Sequence, residues 1–293
     1  MKFVVLIACH SSSESIYSTV KSLSSVHIPA GFDRVIVIEN GDKPALDTSI
    51  LSAVDKMPIS CYFTKQKGKS TALNIAIEAY VPDDYFIIFT DDDIRFNPNW
   101  LIKYAKAFER EGRGHFFGSS LGVDYEETVD QALLASLPPS ARGVDDSTYR
   151  KRPDRAFLGC NWASHKDDLM KAGLFNPNFG PGSKTGATGQ EAEMQDRLRK
   201  LNLKPVLIEE NLVWHYVPLE KCTIEWAMQR AERTGLERFR RKKGRGKWFF
   251  FNIVNILISG VRSIFGSKKE KYRFVISVIA MKSFFAQLFK YNR

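Results

Sequence analysis

The run Tyr85-Phe86-Ile87-Ile88-Phe89-Thr90, followed by Asp91-Asp92-Asp93, constrains the fold more than any other stretch of the chain. An unbroken series of aromatic and β-branched residues predicts a buried strand. Three carboxylates at its end concentrate negative charge where the strand leaves the core. Carboxylates this close raise one another's pKa unless a cation sits among them. Hard oxygen ligands suit Mg²⁺ or Mn²⁺, and Mg²⁺ commonly shares its shell with phosphate oxygens. The triplet therefore points to a divalent cation and a phosphate-bearing ligand at the end of a sheet. A polar strand-to-helix turn, with Asp or Asn capping a helix that starts near Asn97-Pro98-Asn99-Trp100, is the other reading of the same residues.

The first hundred residues alternate between strand and helix patterns. Phe3–Cys9, Arg34–Glu39, Ile59–Thr64 and Tyr85–Thr90 read as strands. Ser13–Leu23, Lys69–Tyr80 and Trp100–Glu111 read as helices, with Leu73, Ile77 and Tyr80 on one face of the second. Such alternation predicts an α/β domain around a mostly parallel sheet. Ligands of such sheets bind at the carboxyl ends of the strands. Three polar clusters are expected at that edge: Ala8–Ser13, Glu39–Asp42 and Asp91–Asp93. Further on, Ala156–Ala163 and Pro205–Glu209 read as strands, and Lys166–Ala172 and Gln190–Leu201 as helices. Val123–Asp154 has weaker periodicity and reads as an insertion over the sheet. Gly180–Gly189 holds four glycines and a proline, the composition of a mobile lid.

The formal net charge of +10 is unevenly placed. From Leu236 to Arg293 fifteen Lys or Arg stand against Glu237 and Glu270, a net of +13, so the preceding residues carry −3. A nucleic-acid groove on the main domain is therefore not expected. The four cysteines, Cys9, Cys61, Cys160 and Cys222, form no CxxC pair, which speaks against a zinc or redox motif and suits a reducing cytosol. The apolar start Phe3–Cys9 is short for a signal segment and fits a first strand.

Seven landmarks occur in order: the opening strand, Glu39-Asn40-Gly41-Asp42, Lys67-Gly68-Lys69 with Ala72-Leu73-Asn74, the Asp triplet, Gly159-Cys160-Asn161, Gly189–Met194, and Val213-Trp214-His215. Together they resemble a family 2 glycosyltransferase of the GT-A fold over roughly residues 1 to 235. The resemblance implies an inverting, metal-dependent transfer from a nucleotide-sugar donor, a UDP-sugar first among them, to an acceptor hydroxyl. It implies donor-nucleotide contacts at Ala8, His10, Glu39, Asp42, Lys67, Lys69, Asp91 and Asp92. Asp93 and His215 are implied as ligands of Mn²⁺ or Mg²⁺. The catalytic base aligns with Glu191, after Gln190 where the family usually has a first acid. Asn161, Trp162, Glu193, Arg230 and Arg233 are implied on the donor-sugar and acceptor side. Each residue also has a plain structural use: a turn at Asn40-Gly41, a solvated charge run at Lys67–Lys69, acidic decoration of a helix start at Glu191, and salt bridges at the two arginines.

Residues 236–293 are expected to form a separate basic, amphipathic helical region. Arg238–Lys247 contains seven basic residues and runs into Trp248-Phe249-Phe250-Phe251. From Trp248 to Phe265 the polar positions Asn252, Asn255, Ser259 and Arg262 recur at helical spacing, and Tyr272–Phe289 is similar. Basic clusters beside aromatic amphipathic helices suit the anionic cytoplasmic leaflet, so peripheral attachment at the cytoplasmic face of the membrane is expected, with a lipid-linked or membrane-delivered glycan as acceptor. That acceptor would place the protein in cell-surface polysaccharide or glycolipid synthesis. A hairpin for homo-oligomerisation is the alternative use of these helices. For the whole chain, a metal-dependent nucleotidyltransferase and a catalytically inactive membrane adaptor are the alternatives. The first lacks its usual glycine-rich loop in Ala8–Glu14, and the second is kept open by Gln190.

Overall fold

The computed structural model describes residues 1–11, 15–48, 57–241 and 244–291. Ser13 and Glu14 of the first expected helix, and Lys242 and Lys243 of the basic run, lie outside the described residues. The described chain divides into two compact units. The first comprises Met1–Gly122, Val144–Lys184 and Gly189–His215; the second comprises Val123–Gly143, Thr185–Thr188 and Tyr216–Arg293.

The first unit is built on a seven-stranded sheet. Its strands are β1 (Phe3–His10), β2 (Phe32–Asn40), β3 (Ile59–Thr64), β4 (Phe86–Thr90), β6 (His115–Gly118), β8 (Trp162–His165) and β9 (Lys204–Leu207). They lie in the order β3-β2-β1-β4-β8-β6-β9. The four strands from β3 to β4 are parallel, and β6 and β9 are parallel, but β8 runs antiparallel to both its neighbours. Three shorter strands, β5 (Ile94–Phe96), β7 (Leu121–Tyr125) and β10 (Val213–Val217), form a second sheet in the order β5-β10-β7.

The apolar run of β1 is continuous because both faces of the sheet are covered. Phe3, Val5, Ile7 and Cys9 join one core, with Ile16, Val20 and Leu23 of α1 (Ser15–Leu23) and Trp100, Leu101, Tyr104 and Phe108 of α3 (Trp100–Glu111). Val4, Leu6 and Ala8 join the other, with Ala72, Leu73, Ala76 and Ile77 of α2 (Lys69–Ala79) and Met194 and Leu198 of α8 (Gln190–Lys200). The pairings Ile7↔Thr90, Cys9↔Glu39, His10↔Asn40 and Asn40↔Thr64 bring the carboxyl ends of β1 to β4 to one edge. The Asn40 side-chain amide donates to the Cys9 carbonyl at 2.8 Å, and the Ser11 amide donates to the Asn40 carbonyl at 3.1 Å. The described residues of the clusters expected at that edge therefore meet there; Ser12 and Ser13 lie outside the described residues.

Ala156–Ala163, expected as a strand, is one only from Trp162. Over Phe157 the partner is a side chain: Gln195 accepts from the Phe157 amide at 2.8 Å and donates to its carbonyl at 3.1 Å. A glutamine here meets the backbone groups that a strand would otherwise pair. The expected helix near residue 166 is α7 (Lys166–Lys171).

The second unit holds α4 (Gln131–Leu134), α5 (Pro139–Arg142), α9 (Ile224–Arg240), α10 (Arg245–Phe265) and α11 (Lys268–Tyr291). Val129, Leu133, Leu137, Ala141, Val217 and Ala227 form its core, with Tyr272 and Ile276 of α11 against them. The Lys268 ammonium lies 2.8 Å from the Asp130 carboxylate. Residues 123–143 thus pack with the C-terminal helices, where an insertion over the sheet was expected. A boundary at 235 falls inside α9, which buries Ala227, Ala231 and Gly235 at helical spacing. A Cβ on Gly235 would stand 2.3 Å from the Ala280 carbonyl oxygen, so α9 and α11 approach through their backbones. The remaining short helix, α6 (Asp146–Lys151), belongs to the first unit.

Candidate active site

The triplet forms the turn between β4 and β5. The buried Thr19 hydroxyl donates to the Asp92 carbonyl at 2.7 Å and accepts from the Ile94 amide at 3.1 Å, which fixes the turn against α1. β5 then runs antiparallel to β10, with His215 opposite Ile94. This register carries His215 to Asp93: Nε2 lies 3.0 Å from Oδ2, with side-chain exposures of 12% and 17%. His215 sits within β10, between Trp214 and Tyr216. Neither β5 nor its pairing was foreseen, although Ile94-Arg95-Phe96 alternates as a short strand should.

Lys69, the first residue of α2, forms a short ion pair with Asp91. Burial lowers its pKa, but the Asp91 charge and hydrogen bond, with Asp92 and Glu191 adding to them, outweigh burial and raise it well above 10.5. The ammonium is therefore a fixed cation among three carboxylates. Its position depends on glycines. Gly68, at φ 103°, lies so close to the Gly182 carbonyl that an added Cβ would stand 3.3 Å from it. The Lys69 amide donates to the Pro181 carbonyl at 3.0 Å, and the Ser70 hydroxyl donates to the Phe179 carbonyl at 2.7 Å. The first residues of the glycine-rich segment are thereby tied to the start of α2.

Glu191 stands in the first turn of α8, half-buried, with Gly159 facing its carboxyl group: a Cβ there would lie 3.4 Å from Glu191 Cδ. The buried Cys160 thiol reports the field of the group. Burial pushes it up first, then the charges of Asp91, Asp93 and Glu191, with Lys69 opposing. Sequence reading attached no electrostatic meaning to Cys160. Glu193 is engaged elsewhere: its two oxygens accept from Arg197 Nε at 2.9 Å and Nη2 at 2.7 Å.

Several implied ligand contacts are buried in structural bonds instead. Asn161 is fully buried: Oδ1 accepts from Trp100 Nε1 at 3.0 Å and the Tyr104 hydroxyl at 2.9 Å. Its amide nitrogen donates to the carbonyls of Ser120 at 2.9 Å and Asn211 at 3.1 Å. All its polar capacity is used, so it cannot offer a sugar a hydrogen bond. Trp162 is also in the core, stacked on Phe89 at 4.7 Å. Glu39 is buried, and its Oε1 accepts from the Ala45 amide at 2.6 Å. Ala8 is buried beneath the strand ends, His10 is exposed there, and Asp42 pairs with Lys67 at 3.0 Å on the surface. Arg230 and Arg233 belong to the second unit on α9, where Arg230 lies over the Trp226 ring at 5.7 Å.

Among the described residues no group of three His, Cys, Asp or Glu side chains is placed to hold a metal ion. Asp93 and His215 together supply one carboxylate and one imidazole. That pair fits a Mn²⁺ or Mg²⁺ ion whose shell is completed by phosphate oxygens and water, and not an ion caged by protein alone.

Solved structures share this architecture. PcManGT, a mannosyltransferase from Pyrobaculum calidifontis solved with GDP-Man and Mn²⁺, superposes with a TM-score of 0.56 at 12% identity, over 98% of this chain and 74% of that one. GalNAc-T7, solved with UDP, GalNAc and Mn²⁺, gives 0.54 at 13% identity, over 74% of this chain and 43% of that one. S. aureus TarS 1-349 in complex with UDP-GlcNAc gives 0.51 at 14% identity, over 84% and 69%. At these identities the likeness shows the fold, which is GT-A. No curated protein matches the sequence. The model of glycosyl transferase family 2 matches residues 4–170, more than half the chain, and covers the sheet edge, Lys69, the Asp triplet and Gly159. The chain belongs to glycosyl transferase family 2.

Proposed function

We propose that the protein transfers a sugar from a nucleoside-diphosphate donor to an acceptor hydroxyl with inversion at the anomeric carbon. The observation that carries this reading is the meeting of His215 and Asp93 at 3.0 Å, in the turn that also holds the Lys69–Asp91 pair. Asp93 and His215 would hold a Mn²⁺ or Mg²⁺ ion, which would supply Lewis-acid stabilisation of a leaving diphosphate. Asp91 and Asp92 face the nucleoside side, and Lys69 fixes Asp91. Among the structural relatives, PcManGT binds GDP-Man and TarS binds UDP-GlcNAc. UDP is therefore the first nucleotide to try and GDP the second.

Glu191 is the base. It takes the proton of the acceptor hydroxyl as that oxygen attacks the anomeric carbon. The bond from that carbon to the diphosphate oxygen breaks, and its electron pair leaves with the nucleoside diphosphate. Gly159 leaves space beside the carboxylate, because even a methyl group there would reach van der Waals contact with it. Glu191→Gln is expected to keep donor affinity and lower turnover by about 10²-fold or more, the usual scale for a general base. Turnover equal to wild type would remove Glu191 from the chemistry.

The acceptor of this reading is a lipid-linked or membrane-delivered glycan of cell-surface polysaccharide or glycolipid synthesis. The protein sits peripherally at the cytoplasmic face, drawn there by the +13 of residues 236–293.

A further inference from the structure

The helix α10 is turned inside out for a protein in water. A surface helix normally buries its apolar stripe and exposes its polar one. In α10 the polar and small residues face the neighbouring helix. Asn252 is buried, and its amide donates to the Ser277 carbonyl of α11 at 2.9 Å. Ser259 is buried on the same stripe, and a Cβ on Gly260 would stand 3.1 Å from the Phe274 ring of α11. Two members of the polar stripe, Asn252 and Ser259, are thus buried on the side of α11, while Arg262 at its end is exposed. Trp248 and Phe249 pack on Phe284 of α11 at 5.5 and 5.9 Å, but six other apolar residues point outward: Phe250, Phe251, Leu257, Ile258, Val261 and Ile264 are between 46% and 71% exposed. Helices that contact lipid pack on one another in this way, through small and hydrogen-bonding residues, with apolar side chains outward.

Cations border this face. Lys247 is exposed in the first turn of α10 and Arg262 in its last, and Lys269 and Lys271 are exposed in the first turn of α11. A second copy of the chain covering the face would bring +13 against +13. An anionic lipid surface meets both features at once. Among the described residues no helix is long and apolar enough to cross a membrane, so the face is suited to lying in the interface.

We propose that the outward apolar face of α10 is the surface by which the protein lies on an anionic bilayer. The inference rests on the peripheral placement above and not on the transfer chemistry. Each cation near the surface raises partitioning about fivefold, and the apolar face retains part of the binding when salt screens the charges.

Flotation of the full chain with phosphatidylcholine vesicles, with and without phosphatidylserine, tests it. Far-ultraviolet circular dichroism and light scattering accompany each sample. Wild type is expected to float with the anionic vesicles. Leu257→Asp with Val261→Asp should lower the partition constant about tenfold or more while leaving the helical signal unchanged. Wild type that stays at the bottom overturns both the placement and the α10 face, and leaves the catalytic reading intact. Flotation unchanged in the variant overturns the α10 face and leaves the placement standing. A wild-type dimer that the variant dissociates assigns the face to a second copy and overturns the proposal. Equal flotation with neutral vesicles, resistant to alkaline carbonate, indicates insertion and overturns it as well.

Discussion

Replacing Asn161 by Ala separates a structural role from a ligand contact at a position the family resemblance had placed beside the sugar. The side chain is fully buried and joins α3, the stretch before β8, and the loops at Ser120 and Asn211 by four hydrogen bonds of 2.9 to 3.1 Å. Alanine strands the Trp100 N–H and the Tyr104 O–H, both on residues with no exposed surface. Each unsatisfied buried donor costs about 1–3 kcal/mol, and the orphaned carbonyls add to this. A loss of about 3–5 kcal/mol is expected after some relaxation, which lowers Tm by roughly 5–8 °C for a chain of this size. Asn161→Asp should be no better, because a carboxylate accepts from both donors but cannot donate to the carbonyls and brings a buried charge. Thermal and urea denaturation of the unliganded protein measure the loss, and donor titration of the folded fraction measures the site. A melting temperature within about 2 °C of wild type would refute the account of Asn161, the more so with weakened donor affinity.

Two further outcomes follow from the same bonds and charges. Glu193→Gln loses part of the Arg197 pairing and is expected to destabilise the start of α8 by about 1 kcal/mol or less, with turnover within about twofold of wild type, since a neutral amide still accepts from the guanidinium; a fall matching Glu191→Gln would make Glu193 the base. The buried thiols of Cys9 and Cys160 are raised above their ordinary 9.0, chiefly by burial and then by neighbouring carboxylates. Raised acids contribute stability that is complete below the unfolded pKa and is lost as pH rises, because the unfolded chain then binds fewer protons. Stability should therefore fall above pH 9 by up to about 1.4 kcal/mol per pH unit per thiol, a slope that Cys160→Ala reduces and that urea titrations at stepped pH would measure.

Much of the sheet was legible because β1 and β2 are long, largely buried and unbroken. Phe3–Cys9 and Arg34–Glu39 are such runs bounded by turn residues, the half-buried edge strand Ile59–Thr64 shows through its aromatic and β-branched residues, and α2 and α3 carry the helical period. The strands that were missed, β5, β6 and β7, are only three to five residues long, too short for a period to show. Yet β5 is what delivers His215 to Asp93, through a register set by β10. Ala156–Phe157 misled because a strand-like sequence found a glutamine side chain in place of a strand. At the site, the resemblance named Asp93, His215 and Glu191, but a motif does not tell a residue that meets a ligand from one that holds the ligand's surroundings. Asn161 proves to be a hydrogen-bond hub, and Asn74 likewise clamps the backbone of Phe175 by two bonds of 2.8 Å. The tail's composition gave two amphipathic helices. Which stripe would face outward depended on α11, whose approach no local pattern encodes.

Calorimetric titration of UDP and GDP into the full chain, with and without Mn²⁺, tests the central claim most directly. The account predicts Mn²⁺-dependent binding of one of the two nucleotides. Asp93→Ala should abolish it, and His215→Ala should weaken it about tenfold or more, as one ligand is removed from the ion's shell. The melting temperature of the unliganded variant, which loses the Asp93–His215 contact, checks that it is folded before its affinity is read. Binding that ignores Mn²⁺, or equal affinity in the folded Asp93→Ala protein, would contradict the reading of Asp93 and His215 as the metal-holding pair of this glycosyltransferase.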